Sequence, residues 1–167
     1  MYTQTVLVAA TLVAAAPAQT PLNLPNEFAI LPAGYFIESA ATRFDFPTGI
    51  ALDNSGTFWV SEAGFMPPFV PKVKRFNHTG VVTTVLSATD LPMGLLEGPL
   101  TDVTYQNGML WISHRQIGAN GWRVGAVSRF DPTDPIATFT TVITNLPSAG
   151  DHHTNEIVFG PDGRAYF

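Results

Sequence analysis

The sequence predicts an all-β fold assembled from repeated four-stranded antiparallel units, and three observations predict it. Charged residues are only 13% of the 167, against roughly a quarter in a typical soluble domain, while 14 Gly and 14 Pro supply many turns. Low charge, frequent turns and abundant Val, Thr and Phe suit short strands rather than helices. Second, three stretches share one pattern: Thr48–Val60, Thr101–Ile112 and Asn155–Phe167 each give a strand, a turn and a returning strand. Their turn glycines stand at 56, 108 and 163, spaced by 52 and then 55 residues. Third, the intervening segments match. Lys74-Arg75-Phe76-Asn77 leads to Thr83-Thr84-Val85-Leu86, and Ser128-Arg129-Phe130-Asp131 leads to Thr140-Thr141-Val142-Ile143, with Phe76 and Phe130 54 residues apart. Each unit is therefore two hairpins. Four strands recurring at roughly 40 to 50 residues mark a β-propeller, with a β-sandwich of coincidentally similar hairpins as the rival.

The N-terminus reads as an export signal over residues 1–18. Val6 to Ala16 is an uncharged apolar run of h-region length, and Ala16-Pro17-Ala18 places small residues where a signal peptidase inspects them. The run is shorter than the roughly 20 residues that span a bilayer, so no stable membrane anchor is expected. A secreted or periplasmic location follows. With no cysteine, an exported form relies on its core and hydrogen bonds. Residues 19–45 form an N-terminal arm and first strand: Thr20 to Pro32 carries three prolines, and Gly34 to Ala40 reads as a strand.

Residues 46–167 then form an incomplete propeller, with blades at about 46–97, 98–149 and 150–167. Asn107-Gly108 is a favoured hairpin turn, because both residues tolerate positive φ. Two blades and the opening hairpin of a third cannot close a ring, which takes four to eight blades. The chain is thus expected to be the front part of a larger protein, and not to act alone. Its net charge of −5 and scattered cations argue against a nucleic-acid partner. Lys72, Lys74 and Arg75 cluster, as a solvated outer strand would. Asn77-His78-Thr79 is a glycosylation sequon, with meaning only in a eukaryotic secretory pathway.

In propellers the segments leading into the innermost strands share one mouth, where residues from several blades converge. Those segments are Phe44 to Thr48, Glu97 to Asp102 and Gly150 to Asn155. The first is bland, the second offers Glu97 and Asp102, and the third holds Asp151, His152, His153, Asn155 and Glu156. Imidazole titrates near pH 6.5, and a neighbouring carboxylate can fix its tautomer, as general-base chemistry requires. Adjacent residues on extended chain point to opposite sides, so His152 and His153 cannot both face one ligand, and no metal site is assigned. By residue type alone, His152 stays open between a loop-structural role, a base and a metal ligand. His114, at the end of Trp111-Ile112-Ser113, fits a strand end better than a ligand, and His78 fits an exposed turn.

The run Leu146-Pro147-Ser148, Asp151-His152 and Ile157-Val158-Phe159-Gly160-Pro161-Asp162-Gly163 resembles the soluble quinoprotein glucose and sorbosone dehydrogenase family. Leu31-Pro32-Ala33-Gly34-Tyr35 and Phe46-Pro47-Thr48-Gly49 are similar to that family's first strands. The resemblance implies a six-bladed propeller that binds pyrroloquinoline quinone (PQQ) and calcium and oxidises a small sugar or aldehyde. His152 would take the proton from the substrate's hydroxyl, and Asp151 would bind substrate or orient the base. It places the quinone and calcium contacts beyond Phe167. The glucose enzymes follow their Asp-His pair with S-G-R, where this chain has Thr154-Asn155-Glu156, so glucose itself is not implied.

Two other classes fit a propeller. One is a non-catalytic, NHL-like propeller that binds a protein or glycan partner, for which Phe65, Met66, Pro67, Pro68 and Phe69 offer an apolar surface. The other is a metal-dependent lactonase-like propeller, with Glu62, Glu97 or Asn155 as contributors.

Overall fold

Two four-stranded antiparallel sheets and one hairpin make up the fold. A computed structural model describes residues 39–148 and 153–167. The first sheet contains β1 (Pro47–Leu52), β2 (Phe58–Glu62), β3 (Lys72–Phe76) and β4 (Thr83–Ser87), in sequence order. The second contains β5 (Glu97–Gln106), β6 (Met109–Ile117), β7 (Arg123–Phe130) and β8 (Thr140–Leu146), again in order. β9 (Val158–Phe159) and β10 (Ala165–Tyr166) pair as a third unit. This is the all-β, blade-by-blade architecture of a β-propeller that the repeat predicts. Helical structure among the described residues is confined to α1 (Pro135–Thr138) and a short 3-10 turn at Ala88–Asp90. The expected signal (1–18) and most of the arm lie outside the described residues; Ser39 and Ala40, the described end of the expected 34–40 strand, are in no strand.

Turn chemistry explains each innermost hairpin. Asn107 (φ 52°) and Gly108 (φ 81°) both occupy the left-handed region that a tight hairpin turn with the sheet's own twist requires. In the first unit the Asp53 carboxylate instead accepts the backbone N–H groups of Ser55 (2.8 Å) and Thr57 (3.0 Å), and Gly56 takes φ 82°. Asp53 also accepts the Trp59 indole N–H at 3.0 Å. In the third, Asp162 accepts Arg164 N–H and Gly163 takes φ 74°.

Register makes the repeat explicit. Ala51 pairs with Trp59 as Thr104 pairs with Trp111, and Gly49 pairs with Ser61 as Asp102 pairs with Ser113. The middle strands β2 and β6 are buried on both faces, whereas β1 alternates half-buried and exposed. The core lies between the two blades, where Trp59, Leu86, Leu100, Leu110, Ile112 and Phe130 pack together. Burying each such side chain is worth about 1.5–3 kcal/mol.

Two threonines tie successive blades. Thr48 Oγ1 donates to the Leu100 carbonyl (2.8 Å), and one repeat later Thr101 Oγ1 donates to the Thr154 carbonyl (2.5 Å). Thr104 Oγ1 adds a bond to the Ile157 carbonyl at 3.0 Å. These bonds set the inner strands of three consecutive units side by side.

One expectation is corrected here. Lys72, Lys74 and Arg75 lie on β3, third of four strands, and Lys74 is not solvated. Its ammonium lies 2.7 Å from Glu62 Oε1, with the two side chains only 12% and 1% exposed. It also donates to the Arg43 carbonyl and stands over the Phe44 ring. A long methylene stem lets this cation turn inward to a carboxylate on the neighbouring strand.

Candidate functional site

The inner strands β1 and β5 and the chain entering β9 enclose a cleft of about 380 Å³, lined by Pro47, Thr48, Gly49, Ile50, Thr101, Asp102 and Glu156. That volume falls within the range of small-molecule sites. The repeat explains its chemistry. Gly49, Asp102 and Glu156 occupy corresponding positions on three successive units, so the two carboxylates come from neighbouring inner strands. A Cβ at Gly49 would lie 2.6 Å from Asp102 Oδ1, so glycine there leaves Asp102 its room. Asp102 is buried, and its Oδ2 accepts the Ile157 N–H at 3.0 Å. Burial raises its pKa above the usual carboxylate value; the Ile157 and Val103 amides oppose this, and the Glu156 charge adds to it.

A second constellation stands where β6 ends. The Arg115 guanidinium donates through Nε to Ser148 Oγ (2.8 Å) and through Nη2 to the Ser148 carbonyl (3.0 Å) and to His153 Nδ1 (2.7 Å). Glu97 lies opposite Arg115 in the β5–β6 register, yet its carboxylate turns to Arg123 at 3.4 Å. Burial, and then the nearby Arg123 charge, lower the Arg115 pKa from its ordinary value.

The sequence candidates distribute as follows. Asp151 and His152 lie outside the described residues. Asp102 and Glu156 come together in the cleft, while Glu97 holds Arg123. Asn155 is exposed, and Glu62 is buried against Lys74. His78 sits exposed in the β3–β4 turn. Phe65 and Met66 are 60% and 50% exposed, and Phe69 packs edge-on against Phe46. Among the described residues no group of three or more His, Cys, Asp or Glu is placed to hold a metal ion. Arg115 and Ser148 are not legible in the sequence as a pair, because they are 33 residues apart.

His114 is a buried strand residue. Its Nδ1 lies 2.6 Å from the Arg115 carbonyl and its Nε2 2.7 Å from Ser128 Oγ, the pattern of a neutral ring that donates from one nitrogen and accepts at the other. Burial lowers its pKa to about 4, against a backbone bond that raises it. The unfolded chain therefore binds this proton more readily than the folded one. The stability from neutral His114 is intact above about pH 6.5 and is lost as pH falls towards 4, by about 3 kcal/mol at most. His114→Gln is expected to show a smaller loss of melting temperature between pH 7 and pH 4.5 than the wild type. Equal losses would refute this.

No protein-family model and no curated protein matches the sequence. Among solved structures the fold is similar to an oxidoreductase (glucose dehydrogenase) from Thermus thermophilus, with TM-score 0.59, 18% identity and 77% of this chain covered. It is similar also to the PQQ-bound aldose sugar dehydrogenase of Streptomyces coelicolor (TM-score 0.55, 19% identity, 75% of this chain). The soluble aldose sugar dehydrogenase of Escherichia coli, in its apo form, gives TM-score 0.53 at 20% identity over 72% of this chain. The chain spans 38%, 38% and 36% of the lengths of these three proteins. Identity of this order carries the fold, and the fold they share with this chain is the β-propeller.

Proposed function

We propose that this chain is the N-terminal part of an exported, PQQ-dependent dehydrogenase of small sugars or aldehydes, with His152 as the base and Asp151 beside it. The observation that carries the reading is a coincidence of place. In sequence the Asp-His pair comes shortly before Glu156, which lines the cleft, on a fold shared with sugar dehydrogenases. Residues 6–16 and the small residues at 16–18 support export, and no helix among the described residues is long and apolar enough to cross a membrane.

The described residues do not themselves form a site for either group. They offer no three-ligand cluster for calcium, and both arginines near the mouth are engaged, Arg115 with Ser148 and His153 and Arg123 with Glu97. The proposal takes those contacts from beyond Phe167, where the sequence resemblance puts them. PQQ, when bound, supplies the electron acceptor. What this chain contributes is a base for the substrate's hydroxyl proton and a cleft whose two carboxylates suit a polyol.

The test is dye reduction by the full-length gene product, loaded with PQQ and calcium, across a panel of aldoses and aldehydes. Turnover is expected, with His152→Ala lowering kcat by about 10²- to 10⁴-fold. No turnover with any substrate, or an unchanged rate in His152→Ala, would sink the reading. The exposure of Phe65 and Met66 favours a second reading, a partner-binding propeller, which predicts no turnover and capture of a protein or glycan ligand that Phe65→Ser abolishes.

A further inference from the structure

We infer that Asn77 is the acceptor for an N-linked glycan on the end of the blades that faces away from the cleft, when the chain is exported through a eukaryotic secretory pathway. Asn77-His78-Thr79 is the only Asn-x-Ser/Thr triplet in the 167 residues. The site rests on the export part of the proposed function and on nothing else in it.

All three residues are exposed, in the turn between β3 and β4. The Asn77 side-chain oxygen accepts the Thr79 N–H at 3.0 Å and the Thr79 hydroxyl at 2.6 Å. The amide nitrogen carries two protons and can accept neither, so donor chemistry fixes which end of the carboxamide meets Thr79. Among the described residues nothing accepts from Nδ2, which leaves it for a bond to sugar. The modification is a group transfer from a lipid diphosphate-linked oligosaccharide. The bond from the first sugar's C1 to the phosphate oxygen breaks, a bond from C1 to Nδ2 forms, and the lipid diphosphate leaves with the electron pair. Nδ2 gives up one proton to the transferase, and nothing is oxidised or reduced.

The second blade separates what the turn needs from what the acceptor needs. Asp131 is the counterpart of Asn77, as Phe130 is of Phe76, and it accepts the Thr133 N–H at 2.8 Å and the Thr133 hydroxyl at 2.7 Å. The same capped turn forms there with a carboxylate, and with Pro132 in the middle position. A carboxylate offers no amide nitrogen, and a central proline disqualifies a sequon. The turn itself therefore does not call for asparagine, and of these two turns only the first carries an acceptor.

Strand register decides where the glycan projects. Pro47, Glu62, Lys72 and Ser87 pair across one end of the first blade, and Leu52, Phe58 and Phe76 pair across the other. The cleft takes Pro47 and Thr48 from the first end. Asn77 follows Phe76 at the second end, where a bulky, hydrophilic group is accommodated at the surface and leaves the cleft open.

The test secretes the full-length gene product from a eukaryotic host, once behind residues 1–18 and once behind a leader of the host. Peptide mass spectrometry then reads the peptide that holds Asn77. That peptide is expected to carry hexose and N-acetylhexosamine, and an amidase that removes N-linked glycan should leave an aspartate at position 77. Asn77→Asp and His78→Pro each borrow the second blade's residue, so both should lose the glycan completely while keeping the wild-type melting temperature of the amidase-treated protein. Thr79→Ala should also lose it, and Thr79→Ser should keep it. An unmodified Asn77 throughout the secreted wild type, or a glycan that survives His78→Pro, would overturn the site. Glycan behind the host leader without secretion behind residues 1–18 supports the acceptor and overturns the export reading alone. The readout is a mass, so absence of turnover on every sugar and aldehyde removes the dehydrogenase reading and leaves this one standing.

Discussion

Lys74→Met is expected to destabilise the full-length protein by about 3–5 kcal/mol, the cost of leaving one partner of a buried pair uncompensated. Glu62 is 1% exposed, and its Oε1 takes both the Lys74 ammonium and the Asp45 N–H, each at 2.7 Å. Its Oε2 is buried and has no hydrogen-bond partner among the described residues. Loss of the ammonium therefore strands a carboxylate with little water and one amide. Removing both charges avoids that penalty, so Glu62→Leu with Lys74→Met should recover most of the loss. The urea midpoint, read at unchanged m, measures both variants. A Lys74→Met cost below about 1 kcal/mol would mean that the pair is solvated after all.

Gly64→Ala should cost about 2–5 kcal/mol, from two separable sources. The residue sits at φ 56°, where an L side chain is strained by roughly 1–2 kcal/mol. Its added Cβ would also run into the Pro71 nitrogen and Cδ and the Val70 carbonyl carbon, which are mostly backbone atoms that cannot step aside. Overpacking of that kind adds roughly 1–3 kcal/mol. Gly56 is the control, because it has φ 82° but nothing within 4 Å of an added Cβ. Gly56→Ala should lose only the conformational part. Equal costs at 56 and 64 in the same unfolding experiment would remove the steric explanation.

The blades are legible in the sequence because their signals are local. Asn107-Gly108 and the glycines at 56 and 163 specify turns through their own backbone preferences, and the paired Trp59 and Trp111 repeat with them. Asp102 and Glu156 are legible as mouth residues for the same reason, since the repeat alone puts them on adjacent inner strands. Lys74 departs from its expected exposure because its partner Glu62 is on the neighbouring strand, and only the sheet register brings the ammonium within reach. The Arg115 cluster escapes a sequence reading because its partners are 33 and 38 residues away, one of them on the chain entering the next blade. A side chain that bridges units at one blade only leaves no periodic trace.

The threonine bonds between blades bear on how far such a sequence can drift. In both, the donor is a side chain but the acceptor is main chain, at Leu100 in one case and Thr154 in the other. An apolar and a polar residue serve equally, since neither uses its side chain. In these bonds selection thus falls on the donor position, and the accepting residue is free to change its side chain. A ring joined in this way can exchange the residues facing its centre, and so its ligands, without renegotiating how its blades meet.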